Sequence, residues 1–290
     1  MFCKNFFIII FFFNYLSDKN SNIIKYPKSS FYWGMKILCK DRRNAMFVLY
    51  AFCKKTDSIA DSHLLKKEKK KKINNLRKEI NDIFNNNLSN NFGKILKFNI
   101  DKYKLNKKHF LDIIDGVEMD IKDIMICPSK KTFNLYCYRV AGAVGLLSLK
   151  IFGEYNKKTT TFGLYLANAL QITNILRDIK QDQAMGRIYI PKEILNKVGI
   201  KKKKISFILK DKRFPEACKK LSNLADLNFE LAEKQLKLCS KNKLKSAVLM
   251  MNTYKLLLKK IKKNGWKNLG RKISLTKFEK FFLFIKGIIQ

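Results

Sequence analysis

The sequence predicts an all-α fold, and three observations carry that reading. Helix breakers are scarce, with 12 Gly and 4 Pro in 290 residues. Long stretches repeat apolar residues at the three- and four-residue spacing of amphipathic helices. A chain of this length that is 47% hydrophobic can also fill one large core or two small ones.

The helices follow in order. Asp41 stands where it would cap a helix running through Arg42, Met46, Tyr50, Cys53, Asp57 and Asp61. The Lys run at 66–72 and the Asn-rich segment near residue 90 read as solvated helix ends and loops. Helical patterns continue at 110–123, at 133–152 up to Gly153, and at 161–182 with a break at Gly186. After the Lys run at 201–204, helices are expected at 214–239 and 243–263. The apolar stretch 281–289 carries Lys286 and reads as a packed terminal helix rather than a membrane span. An unbroken apolar run at 6–13 is too short to cross a bilayer comfortably, and no small-residue cleavage site follows it. The expected organisation is an apolar extension at 1–28 outside the fold and one all-α domain at 29–290.

Chemistry is signalled by two Asp-x-x-x-Asp pairs, Asp57 with Asp61 and Asp178 with Asp182. Four-residue spacing places both carboxylates of a pair on one helix face, about one turn apart. Two such faces opposed across a cavity would suit Mg²⁺, which takes one or two carboxylates and completes its shell with phosphate and water. On the second helix Gln171, Asn174, Asp178 and Asp182 form one stripe, with Ala167 and Leu164 a turn further back. A face that passes from apolar to amide to carboxylate fits an amphipathic ligand with an anionic head, and Ile172, Leu176 and Ile179 would pack on the other side. An ordinary solvent-facing edge would intersperse Lys along that stripe, but Lys180 and Arg177 lie off it. On the first helix Arg43, Tyr50, Cys53, Lys54, Asp57 and Asp61 share a face, where Lys54 and Arg43 could meet phosphate oxygens and Tyr50 offers an aromatic wall.

A third segment runs from Tyr136 through Val140 and Gly142 to Gly145. Each glycine inside a helix costs about 1 kcal/mol relative to Ala, so two of them imply close backbone approach, a local break, or both. Tyr136, Val140, Ala143 and Leu147 share a face, one phenol above an apolar wall.

The formal charge of +38 raises nucleic-acid binding as a rival. However, 53 of the 61 basic residues are Lys, spread with Asn, Ile and Phe along the whole chain as a coding bias would spread them. The Arg-rich faces with interleaved aromatics that such binding needs are missing. The seven Cys form no Cys-x-x-Cys, which fits a reducing cytosol, and the two His, His63 and His109, lack metal-ligand spacing.

Taken together, these segments resemble the squalene/phytoene synthase family from about Ser30 to Lys280. The resemblance rests on Arg42-Arg43-Asn-Ala, on Tyr50 to Asp61, on Tyr136 to Gly145, on Gln171-Ile-Thr-Asn-Ile-Leu-Arg-Asp178-Ile-Lys-Gln-Asp182 and on Gly186-Arg-Ile-Tyr-Ile-Pro191. Within the family, Asp115-Gly-Val-Glu-Met-Asp120 and the Val140 segment look most like presqualene diphosphate synthases of bacterial hopanoid pathways. The resemblance implies an isoprenoid synthase helical bundle around a central cavity with a trinuclear Mg²⁺ site. It implies Mg²⁺-diphosphate on Asp57, Asp61, Asn174, Asp178 and Asp182, and phosphate contacts from Ser30, Lys54, Arg177 and Tyr254. Tyr136 would face the reacting carbons, with Phe31 and Tyr50 as aromatic faces for a cation. The implied reaction joins two farnesyl diphosphates head to head to presqualene diphosphate. The alternatives are a phytoene synthase acting on geranylgeranyl diphosphate and a non-catalytic family member. Apolar substrate tails imply work in the cytoplasm at the inner membrane face. Two departures stand out: Lys54 occupies a position where the family usually has Arg, and Ser58 one where a further Asp is common.

Overall fold

The computed structural model describes residues 31–201, 204–270 and 273–289. Ser30 and the 1–28 extension lie outside the described residues, as does the Phe31 side chain. The helices run α1 (Phe31–Lys36), α2 (Lys40–Asp61), α3 (Lys66–Phe84), α4 (Asn91–Tyr103), α5 (Lys107–Ile121) and α6 (Lys130–Cys137). A π-helical turn, Tyr138–Gly142, leads into α7 (Ala143–Phe152). Then come α8 (Lys157–Ala184), α9 (Lys192–Lys197), α10 (Ile205–Leu209), α11 (Phe214–Leu236), α12 (Lys241–Asn264) and α13 (Lys277–Ile289). Among the described residues there is no strand, only an isolated parallel bridge between Ile126 and Ile188.

Two apolar clusters hold the bundle. One gathers α8, α11 and α12 around Ile172, Leu176, Phe229 and Leu257. The other gathers α2, α3, α5 and α7 around Phe52, Ile73, Ile114 and Leu147. The expected buried side of α8 is in place, with Ile172, Leu176 and Ile179 all buried. Asn156 starts that helix by accepting hydrogen bonds from the Lys158 and Thr159 amides at 2.9 and 3.1 Å.

One local expectation holds and one is corrected. The Lys run at 66–72 is a solvated helix end, the first two turns of α3. The stripe Ile73, Leu76, Ile80 and Ile83 anchors that helix, and the lysines project from its solvent side. Asp41 does not cap α2; Cys39 holds that position, and Asp41 sits in the first turn, where Lys102 Nζ donates to it at 2.7 Å.

The glycine-rich segment shows both of its expected consequences. The helix breaks register at the π turn, and small residues admit close neighbours on either side. A Cβ on Gly142 would lie 3.2 Å from Leu164 Cδ2 of α8, and one on Gly116 of α5 only 2.7 Å from Val140 Cγ1. The π turn is thus clamped between α5 and α8, which sets Tyr136 and Val140 on the wall they share.

Candidate active site

A cavity of about 250 Å³ opens where α2, α5, α6, the π turn and α8 meet. Helix α2 contributes Asp57 and Asp61, α5 contributes Asp120, and α8 contributes Gln171, Asn174, Asp178 and Asp182. Tyr136, Val140, Val117 and Ile175 form the less polar part of the wall. Both Asp pairs and the whole Gln171–Asp182 stripe are therefore brought to one space.

The remaining wall comes from the segment after α8. Gly186 adopts the left-handed conformation (φ 73°), so the chain reverses and the Arg187 amide donates back to the Asp182 carbonyl at 2.8 Å. Cys127 and Ile188 then pair, N to O, at 2.8 Å, which pins the returning strand beside the end of α5. This reversal delivers two side chains to the cavity. Arg187 Nη1 donates to Asp61 Oδ1 at 2.8 Å and Nη2 to the Ala60 carbonyl at 3.0 Å. The Tyr189 hydroxyl donates to Asp120 Oδ1 at 2.9 Å, and the Tyr136 hydroxyl donates to Asp120 Oδ2 at 3.1 Å. The two tyrosine rings stack with centroids 5.1 Å apart.

Five carboxylates in one cavity cannot all carry full charge cheaply. Burial, then the Asp61 and Asp120 charges, push the Asp57 carboxyl up to about 7 against the relief given by Lys54 and Arg187. Asp57 keeps accessible surface, but that surface opens into the crowded acidic space. Asp182 is likewise pushed to about 7, chiefly by burial and by Asp178. Asp120 rises to about 6 by burial, held back by Arg187 and its two tyrosines. Asp178 is gripped by its neighbour: Arg177 donates through Nε at 2.9 Å and through Nη2 at 2.5 Å. Burial holds the Tyr136 phenol well above its ordinary range, so it stays protonated.

The donor set suits a hard divalent cation. Asn174 lines the cavity with both acidic pairs, and its Oδ1 is buried without a hydrogen-bond partner. Among the described residues no three His, Cys, Asp or Glu converge to form a complete cage. A cation here would therefore take one or two protein oxygens and fill its shell from a ligand and water, the habit of Mg²⁺ rather than of a caged structural metal.

Other expected residues lie outside the cavity lining. Arg43 and Tyr50 are half-buried further back on α2, and Lys54 is exposed, close enough for its charge to act on Asp57. Tyr254 is buried on α12 behind the site, against Arg177 and Asn174, so it supports those side chains instead of reaching the cavity itself. Val140 and Gln171 do line the wall. Asp120, Arg187 and Tyr189 also line the cavity; they lie within the motifs that carry the family resemblance but had no role assigned to them.

Comparison with known proteins decides the family. Residues 24–279 match the model described as squalene/phytoene synthase. The chain belongs to the squalene/phytoene synthase family. It is 35% identical over 262 residues to the presqualene diphosphate synthase of Zymomonas mobilis, covering 90% of this chain and 89% of that protein. It is 28% identical over 275 residues to chloroplastic phytoene synthase 2 of Solanum lycopersicum, covering 91% and 86%. A dehydrosqualene synthase crystallised with a ligand superposes with a TM-score of 0.75 at 22% identity, covering 99% of this chain and 97% of that one, a likeness of fold. In this member of the family the paired Asp-x-x-x-Asp helices meet side chains of α5, of the π-turn segment and of the Gly186 reversal in one cavity.

Proposed function

We propose that this chain is a prenyltransferase of the presqualene diphosphate synthase type, condensing two farnesyl diphosphates head to head with release of diphosphate. The observation that carries the reading is a cavity lined by both Asp pairs and by Asn174, whose Oδ1 is unpartnered, with Val117, Val140 and Ile175 on the same wall. At similar coverage, the higher identity to a presqualene diphosphate synthase (35%) than to the Solanum phytoene synthase (28%) supports the shorter substrate.

Asp57, Asp61, Asn174, Asp178 and Asp182 would hold Mg²⁺ against the diphosphates. Bound there, the metal supplies positive charge to the leaving diphosphate, which eases cleavage of the allylic C1–O bond. Arg177 and Arg187, which hold Asp178 and Asp61 here, and the exposed Lys54 would meet phosphate oxygens. Val117, Val140 and Ile175 keep water from the allylic cation, and the Tyr136 ring, stacked on Tyr189, offers it a π face. The double bond of the second chain attacks C1, one proton is lost, and the cyclopropane closes. Tyr136 already donates its proton to Asp120 and is held protonated, so the released diphosphate is the better acceptor for the lost proton.

The test is incubation of purified protein with labelled farnesyl diphosphate and Mg²⁺, without reductant, followed by product identification. Presqualene diphosphate is expected, abolished by chelation of the metal and by Asp178→Ala. Reaction with geranylgeranyl diphosphate alone would make the protein a phytoene synthase. No turnover by folded protein would make it a non-catalytic member.

A further inference from the structure

Helix α13 closes the chain against α12 and α1. Its Gly287 lies over α12, where a Cβ would meet Leu249 at 3.3 Å, and its Phe284 ring sits 5.1 Å from Trp33 of α1. Leu283 packs on the core from the same side. Opposite that packed face, Phe278, Phe282 and Ile285 fall within about 60° of one another at 100° per residue. They are 87%, 70% and 38% exposed, an apolar stripe that no described residue covers. This corrects the expectation of a terminal helix that is simply packed: it is packed on one side only.

We propose that this stripe is a docking surface for an anionic lipid bilayer. Charge chooses the occupant. Lys277 is exposed at the start of the same helix, and the Lys260–Glu279 ion pair fastens the lysine-rich last turns of α12 beside it. Lys259 and Lys263 of those turns are exposed. Aromatic side chains framed by lysines match an interface of acyl chains under anionic headgroups, the pattern of helices that lie in the membrane surface. A second copy of a chain with net charge +38 would bring lysines against lysines, and three side chains offer far less area than a stable dimer buries. The apolar run at 6–13 precedes α1 in the sequence and is the internal rival for the stripe. The proposal does not depend on which reaction the cavity performs.

The experiment is flotation of the full chain with vesicles of phosphatidylglycerol and phosphatidylcholine in equal parts, and with phosphatidylcholine alone. The protein should float with the anionic vesicles, more weakly as salt is raised, and not with the neutral ones. Phe278→Glu with Phe282→Glu should lower binding about tenfold or more, with helicity by circular dichroism and turnover of detergent-dispersed substrate unchanged. Hydrogen exchange on the unaltered protein gives an independent reading: amides of 277–289 should gain protection on adding anionic vesicles. The proposal falls if the protein binds neither vesicle or both equally, or if the double variant binds as tightly as the parent. It also falls if replacing the apolar residues of 6–13 with Ser removes binding while the double variant keeps it.

Discussion

The acidic ends of α2 and α8 share a spacing and a cavity, yet their arginines are placed in opposite order. On α2 the second carboxylate, Asp61, holds Arg187; on α8 the first, Asp178, holds Arg177. The other members, Asp57 and Asp182, have no ion pair among the described residues, and both are pushed to about 7 by burial and by neighbouring carboxylates. Two guanidiniums cannot neutralise five carboxylates, so each helix keeps one acid that an incoming cation would relieve. The lesson is that the same four-residue motif is completed from different places. Arg177 immediately precedes Asp178 in α8, whereas Arg187 reaches α2 only because the chain reverses at Gly186.

Within this contrast the largest effect should come from neutralising the two acids without arginines while keeping their shape. Asp57→Asn and Asp182→Asn should each lower turnover of farnesyl diphosphate by a factor on the order of 10²–10³, the loss typical of one preorganised electrostatic group. Equal losses would make the two helices equivalent in chemistry despite their opposite arrangement. A loss confined to one helix would break the symmetry and assign the first-departing diphosphate to that side.

A smaller effect should appear in stability without metal. Both carboxyls titrate near 7 in the folded protein but near 3.8 when unfolded. A raised folded value means the folded state holds its protons longer. The stabilisation is therefore full below about pH 4 and is lost as pH rises through about 7. Melting of metal-free protein should fall by several degrees from pH 5 to pH 8, and Mg²⁺ at pH 8 should restore it. The Asp57→Asn, Asp182→Asn double variant should lose most of that slope. A flat profile in the parent protein would show that Arg187 and Lys54 already neutralise the cavity.

The contrast also explains what could be read in advance. The α8 stripe was legible because Gln171, Asn174, Asp178 and Asp182 lie on one regular helix, where period alone decides the face. Asp120 left a fainter signal: it falls three and four residues beyond Val117 and Gly116, a carboxylate on the buried side of α5. Arg187 and Tyr189 left almost none, since a reversal after a left-handed glycine has no period to follow. The two glycines of the Tyr136 segment announced a break or a close approach without saying which, and packing against α5 and α8 produced both. The Lys run at 66–72 was legible as a solvated helix end, but its charge drew attention from the Ile73, Leu76, Ile80 stripe that carries α3 on to Phe84.

The smallest expected effect sharpens the comparison most directly. Helix α8 carries a guanidinium next to its first Asp, while α2 offers only the exposed Lys54 one turn before Asp57, where the family usually has Arg. An ammonium is a point charge, but a guanidinium can grip two phosphate oxygens in one plane. Lys54→Arg should therefore lower KM for farnesyl diphosphate about two- to fivefold and leave kcat unchanged, because the added contact exists before and during bond cleavage alike. An unchanged KM would place Lys54 beyond reach of the diphosphate, acting on Asp57 only through its charge. A raised kcat would mean the α2 side bears the charge that develops as the C1–O bond breaks, and the opposite arrangement of the two helices would then mark a division of labour.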